Sequence, residues 1–160
     1  MHIFAVRLLL ESESKMLFLR QTKRNGGRIT LIGGNVEERE FAREALAREA
    51  LEEAGILVDP ADLTLVHVLH RHKLQKDQTL LVLYFKADRF RGVPASLEPK
   101  KFEDVQWLPL DHLPEDVSKP TLHVLQCVRQ GLIYSAFPTR SKVLAFWQQF
   151  SERWAGFSDF

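Results

Sequence analysis

The chain has 160 residues, with 22 Lys plus Arg against 21 Asp plus Glu for a formal charge of +1, and is 45% hydrophobic and 27% charged. That is the make-up of one globular domain with a sizeable core; it excludes extensive disorder and offers no basic footprint for a nucleic-acid partner. The single cysteine, Cys127, excludes an intramolecular disulfide, the N-terminus lacks a secretory pattern, and no apolar run approaches the ~20 residues of a membrane span, so a soluble, cytoplasmic protein is expected.

His2–Leu10 is apolar and reads as a strand, Glu11–Ser14 as a turn, and Met16–Leu19 as the second arm of a hairpin. Asn25-Gly26-Gly27 is a turn signal. Ile29–Ile32 is a short strand ending at Gly33-Gly34. From about Glu40 to Ala54 the chain is rich in Ala, Leu, Glu and Arg, which predicts a helix, and Gly55 sits where a glycine would stop it. Leu63–His72 and Thr79–Ala87 are the next two strands, joined by polar Lys73–Gln78. Residues 91–102 hold Gly92, Pro94 and Pro99 and read as a loop, before a short strand Val105–Leu108 around Trp107. Pro120 fits the first turn of a helix running to about Arg129, with Leu122, Leu125 and Val128 on one face and Gly131 at its end. The stretch from about Ser141 to Trp154 puts Val143, Trp147, Phe150 and Trp154 on one helical face. No repeat or linker divides the chain. This order predicts a mixed sheet with about three helices, α/β or α+β, in a domain over residues 1–138. A C-terminal amphipathic helix over 139–160 would dock on that domain or be buried at a homodimer interface.

The chemistry concentrates in residues 33–56. On a helix Glu49, Glu52 and Glu53 stand at i, i+3 and i+4 and project from one face. Like charges at that spacing repel, and a hard cation would remove the repulsion. Oxygen-only ligands favour Mg²⁺, Mn²⁺ or Ca²⁺ over zinc. Gly33-Gly34, just before the helix, lets backbone approach closely, so a carbonyl from that turn could join the carboxylates. Mg²⁺ commonly binds through a few carboxylates plus substrate phosphates, which points to a phosphate-containing substrate. A second reading stays open on the residues alone: a solvated acidic face, with Arg39, Arg43 and Arg48 pairing with Glu44, Glu40 and Glu52.

Read with its gaps, the segment is Gly34, five residues, Glu40, seven residues, then Arg48-Glu49-Ala50-Leu51-Glu52-Glu53-Ala54-Gly55-Ile56. It resembles the Nudix box, G-x5-E-x7-R-E-U-x-E-E-x-G-U with U aliphatic, at all seven fixed residues over 23 positions, with Ala50 at the first U. Ile32 and Arg39 stand where many relatives have proline and glycine. The resemblance implies a MutT-like Nudix hydrolase: an α/β/α sandwich with a loop–helix–loop catalytic motif, hydrolysing a pyrophosphate link in a nucleotide and requiring Mg²⁺, or Mn²⁺ in its place. It implies that Glu49, Glu52 and Glu53 bind the metal with the Gly34 carbonyl and that Glu40 and Arg48 form an orienting pair. It also implies that Glu52 or Glu49 assists the attacking water. A further acid is expected from the loop before Trp107, where Glu98 and Glu103 both qualify and Glu103 is preferred.

The window downstream of the box, residues 70–74, carries neither the proline nor the tyrosine that marks ADP-ribose or diadenosine-polyphosphate relatives. The resemblance then implies a nucleoside triphosphate, oxidised or modified ones included, cut to monophosphate and pyrophosphate. The alternatives are another nucleoside-diphosphate derivative (a nucleotide sugar, a dinucleotide, capped RNA) or a non-catalytic nucleotide-sensing module. Arg20, Lys23, Arg71 and Lys73 close strands and are candidates for phosphate contacts. His70 and His72 share a strand face and read as a polar rim rather than a zinc pair. Phe4, Phe18, Tyr84 and Phe85 read as core more than as base-stacking residues.

Overall fold

A computed structural model describes residues 2–73 and 76–137. The expected C-terminal helix over 139–160, and with it the docking or dimer alternatives, lies outside the described residues. The elements run β1 (His2–Ser12), β2 (Lys15–Gln21), β3 (Ile29–Thr30), α1 (Ala42–Ala54), β4 (Leu63–Lys73), β5 (Gln78–Ala87), β6 (Phe102–Pro109), α2 (Lys119–Arg129) and β7 (Tyr134–Phe137). The strands form a mixed seven-stranded sheet in the order β3-β2-β1-β5-β4-β7, with β6 on the other edge of β2. β1 runs parallel to β5 and β4 parallel to β7; the remaining pairs are antiparallel.

The period-2 alternation of β1 divides the core between two faces. Val6, Leu8 and Leu10, with Leu17 and Leu19 of β2, pack under Ala45, Leu46, Ala50 and Ala54 of α1. Ala5, Leu9, Met16 and Phe18 face the other way and pack with Tyr84 and with Val124 of α2. A helix therefore covers each face, which makes the α/β/α sandwich. Phe18, Tyr84 and Phe85 are buried, as expected, whereas Phe4 is exposed.

Several boundaries move for identifiable reasons. β3 stops at Thr30 because the backbone that follows leaves the β2 ladder and joins β1: Leu8 N–H donates to Ile32 O, Val6 N–H to Gly34 O and Val36 N–H to Phe4 O. α1 starts at Ala42, not Glu40, because Arg39 takes a left-handed φ of 67° and Phe41 is extended. The buried stripe of α2 is Thr121, Val124 and Cys127 rather than Leu122, Leu125 and Val128. Those last three line an open apolar groove with Leu9, Met16 and Leu110. β7 follows the Gly131 turn and was not anticipated. Fully buried His67 ties it to β4, its Nδ1 hydrogen-bonding with Leu132 O (2.7 Å) and its Nε2 with Ser135 Oγ (2.8 Å). Among the described residues no helix is long and apolar enough to cross a membrane.

Candidate active site

The site is built where the Gly33–Gly34 turn, pinned to β1, meets the carboxylate face of α1. Gly33 has φ 136°, and a Cβ there would lie 2.1 Å from Val6 O, so only glycine fits. A Cβ on Gly34 would lie 2.1 Å from Glu49 Oε1, which shows how closely the turn rests on the acid. Glu53 is only 4% exposed and accepts a hydrogen bond from Gly33 N–H at 2.8 Å. Burial pushes its carboxyl up to about 7; nearby Glu49 and Glu98 push the same way, while the Gly33 N–H and Arg7 oppose.

Arg48 organises the rest. Its Nε and Nη2 donate to the two carboxylate oxygens of Glu40 at 2.9 and 3.1 Å. Its Nη1 donates to Glu49 Oε1 and to Glu52 Oε2, each at 3.0 Å, and Nη2 also reaches Asn35 O at 3.3 Å. The guanidinium holds the Glu40 carboxyl below the usual carboxylate range. Glu40 also accepts from Glu37 N–H, which ties the loop before α1 to the same pair. The expected Glu40–Arg48 pair is thus in place. Of the surface pairings weighed on sequence, only Arg48–Glu52 forms; Glu44 instead accepts from Phe41 N–H at the start of the helix.

As they stand, no three acid, imidazole or thiol groups among the described residues converge on one coordination sphere. Arg48 takes one oxygen each of Glu49 and Glu52, and the Gly33 N–H takes one oxygen of Glu53. The donor chemistry nonetheless fits a hard divalent cation. Glu49 and Glu98 each repel Glu53, which is buried. The Gly34 carbonyl, which accepts one bond from Val6 N–H, keeps a second lone pair. Glu98 Oε2 is buried without a hydrogen-bond partner, while its Oε1 pairs with Lys101 at 2.8 Å.

The other candidates separate cleanly. The structure brings Glu98 to this corner and leaves Glu103 outside it. A bulge in the β2–β6 ladder skips Glu103 between the Asp104–Arg20 and Phe102–Gln21 pairs, and its side chain is exposed. Arg20 is taken by an ion pair with Asp116 and does not line the adjoining cleft. Lys23 lies exposed in a short turn. Arg71 and Lys73 do line the cleft, about 650 Å³, together with Arg7, Arg28 and Lys119, which sequence reasoning missed. The available signal was Arg7: one cation in the run 5–10 of β1, whose other residues are buried on both faces. The rings of His70 and His72 lie 4.7 Å apart between centroids, tilted by 51°, and their Nδ1 atoms hydrogen-bond with Tyr134 and Thr79.

A family model, the NUDIX domain, matches residues 1–126. The chain belongs to the Nudix family. The enzyme class implied by the box, a hydrolase of pyrophosphate bonds, comes with that membership. The chain is 29% identical to the oxidized purine nucleoside triphosphate hydrolase of Mus musculus over 70% of its own length and 69% of the relative's. It is 26% identical to the enzyme of the same description from Danio rerio, over 67% and 65%. Among solved structures, the MutT NUDIX hydrolase from Burkholderia pseudomallei superimposes with a TM-score of 0.72 at 24% identity, covering 79% of this chain and 97% of that one.

One consequence for this Nudix chain concerns stability. The folded pKa of Glu53, about 7, lies above its ordinary value of 4.5. The native state therefore favours the protonated form; that advantage is complete below about pH 4.5 and is lost as pH rises through about 7. The metal-free protein should lose up to about 3 kcal/mol from this group on going from pH 4.5 to about pH 8. Thermal melts of the wild type and of Glu53→Gln across that range check it. A wild-type slope that survives the substitution unchanged would show that another group carries it.

Proposed function

We propose that the protein is a Mg²⁺-dependent pyrophosphohydrolase that converts a nucleoside triphosphate, oxidised or modified ones included, to the monophosphate and pyrophosphate. The observation that carries this reading is the buried Glu53 bonded to Gly33 N–H, beside Glu49 and Glu98, with a cationic cleft opening next to it. Glu49, Glu52, Glu53 and the Gly34 carbonyl would hold the divalent cation. When bound, Mg²⁺ or Mn²⁺ neutralises phosphate charge and polarises the phosphorus–oxygen bonds.

The chain's own residues do the remainder. Arg48 fixes Glu49 and Glu52 relative to the turn, so those carboxylates meet the substrate preorganised. Water adds its oxygen to a phosphorus as the anhydride bond breaks, and its proton must leave to an acceptor. Glu98, with a buried unpartnered oxygen, takes the place assigned on sequence to Glu103 as the further acid at the site. Arg7, within electrostatic reach of Glu53, supplies positive charge to the scissile phosphates, and Arg71 and Lys73, further along the cleft, supply it to the rest of the bound nucleotide. The two oxidized purine nucleoside triphosphate hydrolases among the relatives support a triphosphate substrate. All three box acids are retained, which favours catalysis over a sensing module.

The test is product analysis by chromatography across canonical and oxidised triphosphates, ADP-ribose, nucleotide sugars and dinucleotides, with and without Mg²⁺. Monophosphate plus pyrophosphate from a triphosphate is the expected result. Turnover confined to a sugar or dinucleotide would replace the triphosphate assignment. Binding without turnover in either Mg²⁺ or Mn²⁺ would make the protein a sensor.

A further inference from the structure

The cleft beside the carboxylate corner is far more cationic than the protein that contains it. Arg7 from β1, Arg28, Arg71 and Lys73 from β4, and Lys119 at the start of α2 all line it, and no Asp or Glu does. The whole chain carries a net charge of only +1. None of the five forms an ion pair with another described residue. Asp116, an acid on which Arg28 acts, is already paired with Arg20. Arg71 is half-buried, and its Nε is buried without an acceptor.

The cations are also neighbours. Arg7 lies within electrostatic reach of both Glu53 and Arg71, and Arg71 in turn repels Lys73. Half-buried like charges without counter-ions are unfavourable unless a ligand supplies the opposite sign. A neutral base and sugar do not. Arg7 sits against the acidic corner where the scissile polyphosphate belongs. Arg71 and Lys73 lie beyond it: Arg7 is level with Tyr84 on β5, and Arg71 with Leu80, four residues or about 13 Å further along the sheet.

We propose that this cleft binds a second, non-scissile phosphate of the substrate, so that the enzyme acts on nucleotides phosphorylated on the ribose as well as at the 5′ end. The inference rests on the pyrophosphohydrolase reading and narrows its substrate class. The second phosphate is a monoester in a 3′-phosphorylated mononucleotide and a diester at the 5′ end of an oligonucleotide. The two share the anionic oxygens that Arg71 and Lys73 would meet.

Binding tests the cleft without catalysis. Calorimetry on the full chain should give about tenfold or more tighter binding of adenosine 3′,5′-bisphosphate than of adenosine 5′-monophosphate, a margin that shrinks as salt rises. Arg71→Gln and Lys73→Gln, made separately so that one misfolded variant does not decide the matter, should each collapse that ratio. Arg89→Gln, which removes a cation paired with Asp62 elsewhere, should keep it. Equal affinity for the two ligands in the wild type, or a ratio untouched by both cleft substitutions, would overturn the inference. Turnover of a 5′-triphosphate bearing a 3′-hydroxyl, a 3′-phosphate or a following nucleotide then identifies the source: preference for the monoester means a mononucleotide, preference for the diester an oligonucleotide end. Failure to hydrolyse any of the three would count against the pyrophosphohydrolase reading and leave the binding ratio to judge the cleft.

Discussion

Glu53→Gln is expected to lower Mg²⁺-dependent turnover by about 10²–10³-fold, the scale on which a single preorganised electrostatic group is lost from an active site. The glutamine is isosteric, and its amide oxygen can still accept the Gly33 N–H that Glu53 accepts at 2.8 Å. The turn and the helix therefore have no reason to move. What disappears is a buried negative charge that would attract a cation and that repels Glu49 and Glu98. At about pH 8 the metal-free variant should melt no lower than the wild type, because the cost of ionising a buried carboxyl goes with the charge. Loss of activity with retained stability separates a functional role from a structural one. Full Mg²⁺-dependent activity in Glu53→Gln would remove the carboxylate corner as the catalytic site.

Gly33→Ala should act on the fold instead. The added Cβ would sit 2.1 Å from Val6 O and 2.9 Å from Val6 C, both backbone, on a residue whose φ is 136°. Neither atom can swing away as a side-chain tip could. Relief requires the 32–36 segment to separate from β1 and gives up the Val6–Gly34 and Leu8–Ile32 hydrogen bonds. A loss of about 3–5 kcal/mol follows, or on the order of 10 °C in Tm. Gly131→Ala is the control. It also puts a side chain at positive φ, 72°, in the left-handed region that L residues tolerate better than 136°, but its Cβ meets nothing within 4 Å, so only about 1 kcal/mol is expected. Thermal melts of the two variants side by side check the difference; equal shifts would mean that backbone strain alone, not the contact with β1, makes Gly33 necessary.

What could be read from the sequence was whatever is local. Glu49, Glu52 and Glu53 stand within five residues, so helix periodicity alone aligns them, and the glycine pair sits beside them in the chain. The Glu40–Arg48 pair joins the loop before α1 to the helix, eight residues apart, and came with the motif. The mixed sheet followed from the order of strand and helix signals, and the sandwich came with the motif. Failures begin where contacts are distant. Arg20 looked free until Asp116, 96 residues on, was brought beside it. Arg7, Arg28, Arg71 and Lys119 share a cleft only because β1, β4, β5 and the start of α2 converge. Glu103 is the acid preferred on sequence, but a bulge in the β2–β6 ladder, invisible in the sequence, leaves it exposed, and Glu98 is the acid with a buried oxygen. On α2 the most apolar stripe and the buried stripe differ by one residue in phase. The smaller Thr121, Val124 and Cys127 fit against the sheet, and the leucines are left on the groove.

The pairing of β1 has a consequence for how the molecule comes into being. β1 is registered against its neighbour in sequence, β2, only at Glu11–Met16 and Ser12–Lys15, but against β5 all along His2–Leu10. Its principal partner is the stretch Thr79–Ala87, so the first strand of this sheet to be synthesised waits for the fifth. Until then the glycine turn has no settled edge to rest on, although the acidic helix that follows it is already made. Such long-range parallel pairing is slow to form and leaves an apolar strand exposed while it waits. A nascent chain halted before residue 87 would carry all the box acids and no assembled site, and its unpaired β1 would be the segment most in need of a chaperone.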